Sequence, residues 1–115
     1  MTMLAHIAEE RHGGVTVARV SGEIDVSNAP WLDERLRAAI TNQSDGLVVD
    51  LTATTYLDSA GIALLFGLAT ALRQHQQQLR LVVADGSPIA RVVRLTGLDA
   101  ALPTLPTLEA ALAES

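Results

Sequence analysis

The stretch 58–61 has the sequence Asp-Ser-Ala-Gly. Its serine, Ser59, is the side chain best placed for chemistry in this protein. A β-type apolar run at 47–51 comes shortly before it, and a long apolar run at 62–72 follows. Small polar residues at such a junction satisfy the free backbone N–H groups of a first helical turn, so Asp58 or Ser59 is expected to cap a helix. A serine there also lies at the positive end of the helix, where a phosphate is favourable. Two interpretations of Ser59 follow from these residues: a helix cap only, or a phosphorylation site.

Composition excludes several other kinds of site. The chain has 115 residues, 49% of them hydrophobic, which predicts one domain over residues 1–115 with an aliphatic core. Cysteine is absent and the three histidines lie far apart, so we expect no metal site and no cofactor. The net charge is −5 and the eight basic residues are scattered arginines, which argues against a nucleic-acid partner.

The chain also lacks the signals of a membrane protein. No apolar run approaches the roughly 20 residues that a membrane span needs. The first residues do not combine a basic segment with an apolar one, as a signal peptide does. We therefore expect a cytoplasmic protein with no direct membrane insertion.

An enzyme built on Ser59 is not favoured. The surroundings do not give Gly-x-Ser-x-Gly, and His75 falls on the far turns of the same predicted helix, ~24 Å away at 1.5 Å per residue. No glycine-rich phosphate loop indicates nucleotide binding. These features therefore predict no catalytic residues.

The first part of the chain predicts a hairpin followed by a helix. Two segments with β-type alternation, 3–9 and 15–22, flank a Gly-Gly turn. Ser27 or Asn28 is the expected N-cap of the next helix, which should end near residue 41. The aliphatic run at 47–51 is typical of a strand covered on both faces.

The helix after Ser59 is predicted over 59–76, and its faces differ in character. One face is an apolar stripe at helical spacing, formed by Ile62, Leu65, Phe66, Ala69 and Leu72. A second face carries only small residues, namely Ala63, Gly67, Thr70 and Ala71. Leu64 and Leu68 fall between the two faces and are expected to be partly exposed. Gly67 would allow the close approach of either a neighbouring helix or a partner, and both alternatives stay open.

The remaining segments complete an alternating order. A strand is expected over 79–84, a helix from Ser87-Pro88 to Gly97, at most an edge strand within 98–105, and a final helix over 108–113 capped by Thr107. Ile89, Val92, Val93 and Leu95 are expected to face the core. The order predicts an α/β fold: a mixed, mostly parallel sheet of 4–5 strands with about four helices. The loops after two strands, 23–25 and 58–61, are expected to meet at one edge of the sheet.

Three segments, in this order and spacing, resemble the STAS domain of bacterial anti-sigma factor antagonists. They are 20–25 (Val-Ser-Gly-Glu-Ile-Asp), 47–62 with its Asp-Ser-Ala-Gly, and 92–98 (Val-Val-Arg-Leu-Thr-Gly-Leu). The resemblance covers essentially the whole chain. It departs from many relatives at Ala60, where they carry a second hydroxyl residue.

The resemblance implies a partner-switching function. An antagonist with its serine unmodified binds an anti-sigma factor, which is also a serine kinase, and so frees a sigma factor. Phosphorylation of Ser59 would release the complex, and a metal-dependent serine phosphatase would restore the active form. Asp25 and Asp58 match the acidic residues around the family's serine, and the free protein should be a monomer. Other members of the family are subunits of lipid-transport ATPases or of stress-signalling scaffolds, which is the alternative function.

The expected partner surface combines the loop 23–27 with the first turns of the second helix. Its residues are Glu23, Asp25, Ser27, Asp58, Ser59, Ala60, Gly61, Ala63, Leu64 and Gly67. Burying a phosphoserine dianion beside Asp58 under a partner would cost several kcal/mol, so one modification could dissociate the complex. Leu64→Arg is expected to disrupt the complex while leaving the fold intact.

Overall fold

The sheet and helices are defined by a computed structural model that describes residues 5–41 and 44–113. The strands are β1 (Ala5–His12), β2 (Val15–Ile24), β3 (Gly46–Asp50), β4 (Thr54–Leu57), β5 (Leu79–Val82) and β6 (Thr104–Leu105). The helices are α1 (Ala29–Arg37), α2 (Ser59–Gln74), α3 (Pro88–Leu95), α4 (Leu98–Ala101) and α5 (Leu108–Ala113). The first two residues of the predicted strand 3–9 lie outside the described residues.

The sheet has the mixed, mostly parallel character that the sequence predicts. Its order is β1-β2-β3-β5-β6, and β4 pairs with β2 off this path. The β1–β2 hairpin is antiparallel and the other pairs are parallel. The described residues contain six strands and five helices, so the expected 4–5 strands and about four helices were each too few.

The strand that the sequence did not indicate, β4, continues the pairing along one side of β2. β3 pairs with β2 over residues 15–19, and β4 pairs with it over 22–24, with a register shift between Gly22 and Glu23. The Thr54 hydroxyl donates to the carbonyl of Val20 at 2.8 Å, which fixes the start of β4. This short strand ends at Leu57, so Ser59 follows it at the edge of the sheet where β2 also ends.

The two faces of the sheet are covered unequally. Ala18 and Val20 face the larger core, which lies under α1, α2 and α3. Val15 and Val17 point the other way, into a small cluster closed by α5. Within the described ranges, none of the helices is long and apolar enough to cross a membrane.

Several helix predictions need correction. α1 ends at Arg37, earlier than expected, and residues 98–101 form α4 where only an edge strand was foreseen. Leu64 and Leu68 are buried, because α2 packs against α1 as well as against the sheet. Leu95 is 72% exposed at the end of α3, so it does not face the core as predicted.

Other helix predictions are confirmed. The Ser87 hydroxyl accepts a hydrogen bond from the Ala90 N–H and so caps α3. Gly97 ends that segment with a φ of 78°, a left-handed conformation that favours glycine. The Thr107 hydroxyl accepts from the Ala110 N–H at the start of α5. Ile89 and Val93 are buried, and Val92 is half-buried against the core.

Candidate functional site

Asp58, and not Ser59, is the cap of α2. Its Oδ1 atom accepts hydrogen bonds from the N–H groups of Ala60 and Gly61, at 2.9 and 3.2 Å. Ser59 is the first residue of the helix and is exposed. Its hydroxyl makes no side-chain hydrogen bond within the part of the chain that the structure describes. The serine hydroxyl is therefore not needed to hold the helix end and is open to solvent.

The other oxygen of Asp58 reaches the loop between β2 and α1. The Val26 N–H donates to Asp58 Oδ2 at 3.2 Å, and the Asp58 N–H donates to the carbonyl of Ile24 at 3.2 Å. The two strand-end loops do meet at one edge of the sheet, as the sequence predicted. This edge gathers Asp58, Ser59 and the chain around Asp25.

Asp25 organises its own loop through its carboxylate. The hydroxyl of Ser27 donates to Asp25 Oδ1, and the Ser27 N–H donates to the same atom at 2.9 Å. These two bonds hold the pKa of Asp25 below its ordinary value. Asp25 therefore stays ionised at neutral pH, and with the exposed Glu23 it adds to the acidic character of this edge.

Asn28 supports the loop before α1, whereas the sequence predicted it as a possible helix cap. It stands at the N-cap position of α1, as one of the two expected residues, but its side chain makes no capping bond. Its buried amide accepts from the Asp25 N–H at 3.0 Å and donates to the Glu23 carbonyl at 2.8 Å. Ser27, the other expected cap, bonds to Asp25 instead. Asn28 thus fixes the shape of the loop from within.

Gly61 allows α2 to start close to the sheet. A Cβ atom there would lie 2.3 Å from Leu57 Cδ1 and 2.9 Å from Ile24 Cγ2, which are impossible separations for carbon atoms. The glycine is therefore required by the close packing of the helix on the ends of β2 and β4. It positions Ser59 without forming part of the exposed surface, because Gly61 is itself buried.

A shallow groove runs from this edge between α1 and α2. Its α2 wall is formed by Ala60, Ala63 and Leu64, and its opposite wall by Val26, Ala29, Pro30, Asp33 and Arg37. Val26, at the mouth of the groove, is 74% exposed. At the far end Arg37 Nε lies 3.0 Å from Asp33 Oδ2. The groove is apolar near Ser59 and charged at its other end.

The sequence did not single out the α1 wall. Pro30, Asp33 and Arg37 have the i, i+3, i+7 spacing of one helix face, and this spacing was the signal that could have found them. Leu64 is only 9% exposed, so it supports the groove and is a poor site for a charge. The predicted Leu64→Arg test would therefore disturb the fold, whereas Ala63 is exposed.

Gly67 lies beside α1. A Cβ atom at this position would be 3.2 Å from Arg37 Nη2. Of the two alternatives for this glycine, the approach of a neighbouring helix is the one that the geometry favours. The described residues contain no group of three His, Cys, Asp or Glu side chains that could hold a metal ion.

Comparison with known proteins shows which protein family this chain resembles. The model of the STAS domain family matches residues 6–111. The anti-sigma-F factor antagonist RsfB of Mycobacterium tuberculosis is 37% identical over 101 residues, which cover 88% of this chain and 81% of RsfB.

Two solved structures resemble the fold. That of an anti-sigma factor antagonist from Mycobacterium paratuberculosis is 34% identical, with a TM-score of 0.86, and the match covers 96% of this chain and 92% of the other. The phosphorylated form of the Bacillus cell fate determinant SpoIIAA has a TM-score of 0.67 at 20% identity, over 95% of this chain and 98% of the other. At that identity the likeness to SpoIIAA concerns the fold alone.

Proposed function

The chain belongs to the STAS domain family, and from this premise we propose that it is an anti-sigma factor antagonist switched by phosphorylation of Ser59. Its partners are an anti-sigma factor with serine kinase activity and a metal-dependent serine phosphatase. In this proposal the free protein is a cytoplasmic monomer, and it is a binding protein rather than an enzyme. The name of RsfB, which matches most of this chain, supports the first part.

The observation that carries the proposal is that Asp58 caps α2 and leaves the hydroxyl of Ser59 exposed. The carboxylate caps α2, so the neighbouring hydroxyl is exposed and can be modified without removing a structural hydrogen bond. A phosphoserine adds about −1.5 to −2 charges. The positive end of a helix stabilises an anion by ~0.3–1 kcal/mol, so the fold should tolerate this charge.

A partner bound over this edge would not tolerate the same charge. It would have to remove water from a dianion that lies beside the Asp58 carboxylate, with Asp25 in the adjoining loop. Burying an unpaired charge costs several kcal/mol, and each 1.4 kcal/mol is about tenfold in affinity. Modification of one exposed hydroxyl can therefore dissociate the complex.

The groove between α1 and α2 supplies the docking surface in this proposal. Val26 is an exposed apolar residue whose N–H is bound to Asp58, the residue before Ser59, and the exposed Ala63 continues the surface along α2. A partner that fills this groove with an apolar side chain would cover Ser59 as well. Affinity and phosphorylation would then depend on the same few residues.

The test is a phosphorylation assay with the purified cognate anti-sigma factor and ATP, read by intact mass. The expected result is a gain of one phosphate group that Ser59→Ala abolishes. Ser27→Ala is the matched control, because Ser27 is an exposed serine of the same edge, and this variant should still gain the phosphate. A phosphate that persists in Ser59→Ala would refute the assignment of this serine.

The same measurement on protein isolated from its own host, with and without stress, extends the test to the cell. A modified fraction that changes with stress would agree with the switch. The absence of phosphate under every condition would count against it and would favour the role of a subunit in a lipid-transport ATPase or a signalling scaffold.

A further inference from the structure

A cleft of about 560 Å³ lies on the face of the sheet opposite α1 and α2, beside the start of α5. Its polar lining consists of His6, Arg19, Ser21, Asp50, Thr52 and Thr107. Arg19 and Ser21 share the side of β2 that carries Val15 and Val17, whereas Ala18 and Val20 point to the larger core. The cleft is therefore separated by the sheet from the Ser59 edge and has no part in the proposed switch.

Asp50, the last residue of β3, is the group that makes this cleft unusual. It is only 8% exposed. Its Oδ1 atom accepts from the N–H and the hydroxyl of Thr52, at 2.9 and 2.6 Å. Among the described residues, its second oxygen has no hydrogen bond and no ion pair. Oδ2 is not fully enclosed by the protein, so it is accessible to a ligand in the cleft.

The nearby arginines do not neutralise Asp50. Arg19 is its register neighbour on β2, but Arg19 Nη2 lies 2.7 Å from Glu10 Oε1 on β1. Arg80 on β5 directs Nη1 towards Gly46, where it lies 3.8 Å from the Cβ position of that glycine, at the other end of β3 from Asp50. Arg19 lines the cleft, but its charge is paired with Glu10, so Asp50 has no ion-pair partner among the described residues and is the acceptor that an incoming cation would meet.

We propose that this cleft binds a small organic cation through an ammonium group on Asp50 Oδ2. An ammonium group offers three donors and no acceptor. Besides the carboxylate, the hydroxyls of Ser21 and Thr107 line the cleft as further acceptors. Pro106 and Leu108 line it with apolar surface suited to a short aliphatic chain. The volume falls in the range of about 300–1,000 Å³ that is usual for small-molecule sites.

The test is an NMR titration of amide resonances with putrescine, a linear diammonium ion. Saturable shifts are expected at Ser21, Thr52 and Thr107, and 1,4-butanediol, the neutral diol of the same length, should not produce them. Asp50→Asn keeps an oxygen for the Thr52 bonds and removes the charge, so binding should weaken at least about tenfold. Asp99→Asn changes the net charge equally on the exposed surface of α4 and should bind like the unmodified protein.

A second variant keeps the proposal testable if Asp50→Asn fails to fold. Ala53 is exposed and lines the cleft, so Ala53→Phe should block it sterically and abolish the shifts with Asp50 intact. Putrescine shifts that fail to saturate, or that are equal in Asp50→Asn, would overturn the proposal. Equal weakening by Asp99→Asn would show a general attraction of the cation to an acidic protein and would overturn it too.

Discussion

The carboxylate of Asp58 accepts a hydrogen bond from the backbone N–H of Val26 at 3.2 Å, across 32 positions of the chain. The same carboxylate caps α2 through Ala60 and Gly61. One side chain thus ties the start of α2 to the loop before α1. Because of this tie, Ser59 and the exposed Val26 lie at the same edge of the sheet.

Replacement of Asp58 by alanine should destabilise the protein. The change removes two capping bonds and the bond to Val26, so the free energy of unfolding should fall by about 1–2 kcal/mol. Urea denaturation measures this difference. Ser59→Ala is the matched control, because that hydroxyl is exposed and makes no side-chain bond among the described residues, and it should change stability by less than about 0.5 kcal/mol. Equal losses in both variants would contradict the assignment of the cap to Asp58.

Two glycines of α2 should respond in opposite directions to alanine. At Gly61 the new Cβ would meet Leu57 and Ile24 at 2.3 and 2.9 Å, and neither buried side chain can move away freely, so a loss of about 1–3 kcal/mol is expected. At Gly67 the Cβ would meet only the flexible end of Arg37 at 3.2 Å. The higher helix propensity of alanine should then stabilise the protein by up to about 1 kcal/mol. Thermal or urea unfolding of the two variants measures both changes in the free energy of unfolding. Stabilisation by Gly61→Ala would refute the packing argument.

The pKa of Asp25 should rise when Ser27 is replaced by alanine. The Ser27 hydroxyl and N–H hold the pKa of Asp25 below its ordinary value, and the variant loses the hydroxyl, which has the larger effect. A group with a lowered pKa in the folded state stabilises the fold above its unfolded pKa of about 3.9, and this contribution is lost as the pH falls through the folded pKa. Carbon-detected NMR titration of the Asp25 carboxyl group checks the shift. An unchanged pKa would show that the serine does not bond to Asp25 in solution.

Local pattern was sufficient to predict much of this fold. The β1–β2 hairpin, the buried strand β3, and the caps at Ser87 and Thr107 depend on residues close in sequence. The meeting of the two strand-end loops also followed, because parallel strands place their carboxyl ends at one edge. The hairpin, the buried strand and the caps needed no knowledge of distant contacts, and the meeting of the loops needed only the parallel direction of the strands.

The missed features depend on packing between distant segments. β4 is a strand only because residues 22–24 offer it a parallel partner. Leu64 is buried because α1 packs against α2. The spacing of apolar residues within α2 does not predict the position of α1. Leu95 fits the apolar stripe of α3 but extends past the part of that helix that the core covers. The choice between Asp58 and Ser59 as the cap required the backbone geometry at residue 58.

A charge placed in the proposed docking groove should weaken binding of the anti-sigma factor. Ala63→Arg introduces a cation at an exposed position of α2, so the fold should persist, unlike the outcome expected for an arginine at the buried Leu64. A partner that covers the groove must then bury an unpaired charge at a cost of several kcal/mol, which predicts at least about a hundredfold rise in Kd.

Calorimetry with the cognate anti-sigma factor would measure this change, and circular dichroism would check the fold. The matched control is Ala100→Arg, the same substitution at an exposed position of the short helix α4, which should leave Kd unchanged. Val26→Asp should weaken binding from the opposite wall of the groove, because Val26 is exposed beside the acidic Ser59 edge. If both groove variants bind as tightly as the unmodified protein, the partner docks elsewhere, and phosphorylation of Ser59 would have to act at a distance from the interface.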